Sequence, residues 1–310
     1  MMVLDAREFA RVRHWIYRNA RPVDLARWRY HFHSGAREDV LCALAAYQNA
    51  DGGMGHALEA DSWNPNSTPM QCSTAIDILR EIDWHETEHP LVRNLLRYLD
   101  SGAEFVAGRW LNVVPSNNDY PHAPWWHTDS TSTSHSEYNP TAILAGFILE
   151  YADRESALYQ RGITIAQELL TSFACEPHLA MHPLLCVAHL LRSIGRAGLQ
   201  NALDLEQLTL LADEQAGKSI RQDADGWDGY TFRPSHWIKS PASALYNQNK
   251  ALVERELDYL LSHRNAAGIW DITWRWESYP DEFAISANWW QADIAIKNVL
   301  LLDAFDRVER

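Results

Sequence analysis

Apolar residues recur along most of this chain at the three- and four-residue spacing of an amphipathic helix. In "REDVLCALAAYQ" the pattern picks out Val40, Leu41, Leu44 and Ala45, and in "MQCSTAIDILREI" it picks out Cys72, Ala75, Ile76 and Leu79. The same periodicity predicts helices over 5–19, 90–100, 140–152, 157–173, 179–195, 203–219, 251–263 and 290–306. Pro69 and Pro140 open two of these segments, where a missing N–H is tolerated, and Asn139 is placed to cap the second. No stretch alternates with period two between hairpin turns, so no sheet is expected. The pattern predicts an all-α chain, and 310 residues suffice for two ordinary domains or one large one.

The segments between the helices repeat. Gln48-Asn-Ala-Asp51-Gly52 recurs as Gln222-Asp-Ala-Asp225-Gly226, and in degenerate form as Arg264-Asn-Ala-Ala267-Gly268-Ile-Trp270. Gly108-Arg-Trp110 is a remnant of a fourth copy. Each comes after a helix, and a glycine in the left-handed region ends a helix while Gln and Asp side chains bond the exposed backbone groups. The repeat is therefore read first as a helix exit.

"YQNADGGMGHAL" together with "RNAAGIWDITW" resembles the Q-x-x-D-G-x-W/F repeat of the squalene cyclase and protein prenyltransferase superfamily. The resemblance implies an α/α toroid, a barrel of helical hairpins around a central cavity that forms a single domain over residues 1–310, and a terpenoid cyclase-like or prenyltransferase-like enzyme. The catalytic sets of that superfamily are absent: there is no Asp-x-Asp-Asp box, no Asp-Asp pair at all, and no Asp, Cys and His set placed to bind zinc. Fold does not determine chemistry.

Composition narrows the partners. The chain has 14 Trp, 12 Tyr and 8 Phe, enough to fill a large core or line a pocket. Its formal net charge of −14 repels phosphate backbones, and no basic cluster offsets that, so nucleic acid is not expected as a partner. No apolar run is long enough to span a bilayer and no signal-type region opens the chain, which predicts a cytoplasmic protein without a transmembrane segment. Cys42, Cys72, Cys175 and Cys186 form no CxxC pair and lie in apolar, helix-like segments, as buried free thiols do. Neither a cofactor nor a metal is implied, and the oligomeric state is not legible.

Three clusters carry candidate chemistry. In the first, His56, Glu59 and Asp61 come directly after the first glycine loop. A carboxyl kept neutral by apolar surroundings can donate a proton, with a neighbouring His or carboxylate to orient it; equally, these acids could cap the next helix. A His with two carboxylates can bind metal, but this spacing is no recognised metal signature. The second cluster is "YPHAPWWHTDSTSTSH", with His122, Trp125, Trp126, His127 and His135, a lid, a wall or an aromatic plug. The third is "WDITWRWESYPDEFAISANWW", in which Trp270, Trp274 and Trp276 alternate ahead of Glu277 and Tyr279, with Trp289 beyond. An extended segment would put the three indoles on one side, and Trp270 is accounted for by the repeat.

Asp223, Asp225 and Asp228 lack the spacing of a calcium loop and read as a repeat turn. His31 and His33, and His178 with His182 at i, i+4, read as ordinary histidines. No nucleophile elbow, P-loop or dinucleotide fingerprint is present. The leading expectation is a lyase or isomerase acting on a hydrophobic isoprenoid-type substrate by acid-initiated cyclisation or isomerisation. Glu59 or Asp61, with His56, would serve as proton donor and orienting partner, and His122, Trp125, Trp126, Trp274, Trp276, Glu277, Tyr279 and Trp289 would bind the substrate. A carbohydrate-active hydrolase or lyase and a non-catalytic binding toroid are the alternatives.

Overall fold

The computed structural model describes residues 2–129, 137–222, 225–229 and 231–310. Helix accounts for 59% of the chain and strand for one two-stranded hairpin, which makes the protein all-α. The helices are α1 (Ala6–Asn19), α2 (Pro22–Phe32), α3 (Arg37–Ala45), α4 (Pro69–Glu81), α5 (Pro90–Ser101), α6 (Thr141–Tyr151), α7 (Ala157–Cys175), α8 (Met181–Arg196), α9 (Leu205–Gln222), α10 (Pro234–Trp237), α11 (Tyr246–Ser262) and α12 (Pro280–Ala304). Among the described residues no helix is long and apolar enough to cross a membrane.

The chain divides into two compact units. One comprises 1–43, 216–275 and 280–310; the other comprises 44–215 with 276–279. In the second unit α6 is the organising element. Every residue from Thr141 to Leu149 is buried, as expected of a helix that is apolar all round, and α4, α5, α7 and α8 pack against it. Helix α5 turns Leu91, Val92, Leu95, Tyr98 and Leu99 inward and ends at Gly102 in the left-handed region. In the first unit α12 packs on α1 and α2, and a parallel bridge joins Leu4 to Val308.

Several sequence expectations change. Helix α2 carries no apolar stripe because its buried face includes a charged set: Asp24 bonds Arg21 at 2.8 Å and Arg27 at 2.9 Å, and Arg27 also pairs with Asp293 at 2.9 Å. Helix α12 begins ten residues before the predicted 290, with Pro280 at its start and Asp281 and Glu282 in its first turn. Pro140 rather than Asn139 occupies the N-cap position of α6, whereas Thr68 caps α4 ahead of Pro69 as a helix start requires. His178 lies before α8 and bonds Gln215 at 2.9 Å, so it shares no helix face with His182. The Gly108 remnant is a hairpin turn between β1 (Phe105–Val106) and β2 (Arg109–Trp110), which form the one sheet among the described residues. Cys42 and Cys175 are exposed, contrary to the expectation of four buried thiols; Cys72 and Cys186 are buried.

The repeat is a real structural unit. In the first copy Asn49 N donates to Gly53 O at 2.9 Å and Gly52 N to Asn49 O at 2.9 Å, with Gly52 at φ 98°. In the third copy Asn265 N donates to Ile269 O at 2.7 Å and Gly268 N to Asn265 O at 2.9 Å, with Gly268 at φ 86°. The same two bonds close both turns. Gln48 does what its position in the repeat suggests, donating to Gly52 O and to Leu91 O at 3.0 Å each. Asp223 and Ala224 of the second copy lie outside the described residues.

Two outcomes test this packing. A Cβ at Gly52 would meet Asn94 O at 2.1 Å, whereas one at Gly102, φ 75°, meets nothing within 4 Å. Gly52→Ala is expected to cost about 3 kcal/mol in denaturant unfolding and Gly102→Ala only about 1 kcal/mol. Burial pushes the Cys72 and Cys186 thiols up to about 12, so a thiol-reactive dye should label two cysteines promptly in the native protein, Cys42 and Cys175, and all four after unfolding.

Candidate functional site

The 55–66 loop leaves the first repeat turn and re-enters helix at α4 by way of two tight turns. Leu58 N bonds Gly55 O across the first, where His56 and Ala57 both sit at φ 60°; Ser62 N bonds Glu59 O at 3.1 Å across the second. Two consecutive non-glycine residues in the left-handed region are strained by about 1 kcal/mol each, and the surroundings hold them there. Those surroundings are buried amides. Gln71 accepts from Leu58 N at 2.8 Å and donates to Asn64 O at 2.9 Å. Asn64 donates to Ser116 Oγ at 2.8 Å and Asn117 Oδ1 at 2.9 Å, and its own Oδ1 accepts from Asn66 N at 2.9 Å. Gln71 and Asn64 are both fully buried.

This clamp carries the acids inward. Glu59 and Asp61 are buried, and Asp61 Oδ1 accepts the indole N–H of the buried Trp276 at 2.9 Å. Two residues that are 215 positions apart thus form one donor–acceptor pair. His56 behaves differently: it is exposed, and its Nε2 is 2.9 Å from Asn49 Oδ1. That places it with the repeat turn rather than with the carboxyl groups.

Ser62 and His122 form an antiparallel bridge, flanked by Trp63 N to Pro121 O at 2.9 Å and Ala123 N to Asp61 O at 2.8 Å. In such a pair the opposed side chains share a face and their neighbours project to the other. His122 therefore lies on the face opposite the Asp61 side chain. Its Nδ1 donates to Tyr120 O at 2.6 Å, since a carbonyl can only accept, which leaves Nε2 as the acceptor. His127 Nδ1 lies 3.2 Å from that Nε2. The ring planes are within 8° and the centres 5.4 Å apart, about one ring's width beyond the N···N distance, so the nitrogens face each other in line. The Tyr279 ring is 5.9 Å from His122. His122 is buried and His127 exposed.

The other sequence candidates scatter. Trp125 is 44% exposed, while Trp126 has a buried indole N–H without a hydrogen-bond partner among the described residues. Burial does alternate through 270–277, but the indoles meet different groups: Trp270 Nε1 bonds Leu260 O at 2.8 Å and Trp274 packs edge-on against Trp290 at 5.4 Å. Trp274 and Trp289 belong to the first unit; Trp276, Glu277 and Tyr279 belong to the second. Glu277 is exposed. Trp289 already has the Arg21 guanidinium 5.2 Å from its ring centre. His135 lies outside the described residues, as does Asp223.

Also in the first unit, a cleft of about 430 Å³ runs beside the second repeat loop, lined by Trp227, Asp228, Arg255, Asp258, Tyr259 and His263 among others. Its polar groups are engaged with one another. Arg255 bonds Asp225 at 3.0 Å and covers the Trp227 ring at 4.8 Å, and Tyr259 donates to Asp228 at 2.8 Å. Among the described residues no group of three or more His, Cys, Asp or Glu is placed to hold a metal ion.

No motif marks Gln71, Asn64 or Asn117 in the sequence, although one signal points to Gln71. Gln71 sits beside Cys72 on the apolar stripe of α4, and a polar residue on a buried stripe must have a partner. Compared with family models, curated proteins and solved structures, the chain matches none.

Replacing Gln71 with Met keeps its size and removes both amide bonds. The expected cost is about 2 to 4 kcal/mol in thermal or denaturant unfolding, with increased proteolytic cleavage within 55–66.

Proposed function

We propose that the Glu59–Asp61 loop is the acid centre of a lyase or isomerase that acts on an isoprenoid-type substrate by protonation-initiated cyclisation or isomerisation, on an α/α toroid of the squalene cyclase and protein prenyltransferase type. The reading is carried by one observation, the bond from Trp276 Nε1 to Asp61 Oδ1 inside a buried loop. An indole N–H stabilises the carboxylate form of the acid it touches. With Asp61 held as that carboxylate, Glu59 is the proton donor, because two neighbouring acids with different surroundings divide the roles of acid and charge.

The chemistry is balanced without a cofactor. Glu59 gives its proton to one alkene carbon, the π pair forms the new C–H bond, and the cation is left on the more substituted neighbour. Ring closure or migration moves the cation, and loss of a proton returns the site to its starting state. An indole ring beside the carboxyl stabilises the cation by about 1 to 2 kcal/mol when water is excluded. Trp276 supplies the hydrogen bond through its edge and so leaves its π face for that role.

The exposed Trp125 and Tyr279 favour a second reading, a carbohydrate-active hydrolase or lyase, since aromatic platforms at a surface suit sugar rings.

Incubation with farnesyl diphosphate, geranylgeranyl diphosphate, squalene and an oligosaccharide panel, read by mass spectrometry, separates the two. An isoprenoid product of unchanged mass is expected. Glu59→Gln should lower kcat on the order of 10²- to 10⁴-fold and Trp276→Phe on the order of ten-fold. Oligosaccharide cleavage that Glu59→Gln abolishes would favour the second reading; isoprenoid turnover indifferent to Glu59→Gln and Asp61→Asn would remove this centre.

A further inference from the structure

We propose that His122 and His127 form a two-imidazole dyad that makes His127 Nε2 a nucleophile toward activated carbonyl compounds bearing an aromatic or apolar group. This site is separate from the Glu59–Asp61 loop. Its first support is the direction of the hydrogen bonds. Tyr120 O can only accept, so the His122 proton sits on Nδ1, His122 Nε2 accepts, and the His127 proton is held on Nδ1. The lone pair of neutral His127 is thereby placed on Nε2. The in-line geometry of the two nitrogens matters as well, because lone pairs aimed at each other share a proton and leave no space for a metal ion between them.

The second support is the gradient of burial along the dyad. His122 is 6% exposed and immobilised by the Ser62 bridge, while His127 is exposed to reagents. A buried group orienting an exposed nucleophile and receiving its proton is the arrangement found in activated nucleophiles generally. The third support is the company: Trp125, 44% exposed, lies two residues from His127, and the Tyr279 ring, 38% exposed, lies 5.9 Å from His122. Exposed aromatic faces there would stack an aryl group.

With p-nitrophenyl acetate, His127 Nε2 bonds to the carbonyl carbon, the bond to the aryl oxygen breaks, and p-nitrophenolate leaves with its electron pair. The acyl-imidazolium passes its Nδ1 proton to His122 Nε2. Water then cleaves the N–C bond, its hydroxyl going to the acyl group as acetic acid and its proton to solvent, while His122 returns the Nδ1 proton to His127.

Long-range ¹H–¹⁵N correlation should find His127 protonated on Nδ1. Diethylpyrocarbonate modification, mapped by mass spectrometry, should reach His127 on the order of ten-fold faster than His14, whose exposed side chain makes no hydrogen bond among the described residues, because a neighbour that takes the proton stabilises the charged intermediate. His122→Leu should bring His127 down to the rate of His14. His122→Gln, which can accept the bond but not the proton, should restore the Nδ1 tautomer without restoring the rate. His127→Ala should remove the excess p-nitrophenyl acetate hydrolysis over free imidazole. A proton found on His127 Nε2, or a wild-type rate equal to that of His14, overturns the dyad even if no variant at position 122 folds.

Discussion

A loop can leave water only if its backbone amides and carbonyls find partners, and in the second unit one side chain meets much of that demand. Gln71 takes the Leu58 N–H and gives its own N–H to Asn64 O, bridging the two ends of the segment that carries Glu59 and Asp61. Asn64 and Asn117 extend the clamp to the 115–127 stretch, where Asn117 Nδ2 bonds Trp126 O at 3.2 Å. The left-handed backbone at His56 and Ala57, the burial of the acids and the alignment of His122 all lie downstream of those bonds.

The repeat and the site divide the work. Copies at Asn49 and Asn265 close with the same pair of backbone bonds and the same left-handed glycine, while their Asn side chains bond different C-terminal residues, Pro65 and Ser67 in the first and Asp271 in the third. Those C-terminal residues differ in kind. After the first turn comes a buried acidic loop, and after the third comes Trp270, whose indole closes on Leu260 O. A turn whose backbone bonds are the same in both copies can carry unrelated sequence beyond it, so a repeated element and a segment found once coexist in one chain.

The acidic loop and the imidazole pair of the second unit are separated by a pleat. The Ser62–His122 bridge sends His122 to one face and Asp61 to the other, so the acid bonded by the Trp276 indole and the imidazole pair are neighbours in the backbone without sharing a face. The 276–279 segment serves both, with Trp276 on Asp61 and Tyr279 near His122. Alternation along a short extended stretch is enough to produce this.

The helical class, most helix positions and the repeat turns are legible in the order of residues alone, because they depend on local properties: apolar spacing, a capping Thr68 before Pro69, and a glycine where L-residues are strained. Glu59 and Asp61 also stand out there as unlike the other copies. Helix α2 does not, since its buried face is ionic and breaks the apolar pattern, and neither does the early start of α12. Tertiary contact was needed to assign His56 to the turn and Asp61 to Trp276, to expose Cys42 and Cys175, and to set His122 facing His127. The Asp61–Trp276 bond joins residues 215 positions apart, the thiols depend on which side of a helix is covered, and the contacts of His56 and His122, though local, depend on irregular loop backbone; none of these is encoded in the spacing of residue types along one segment.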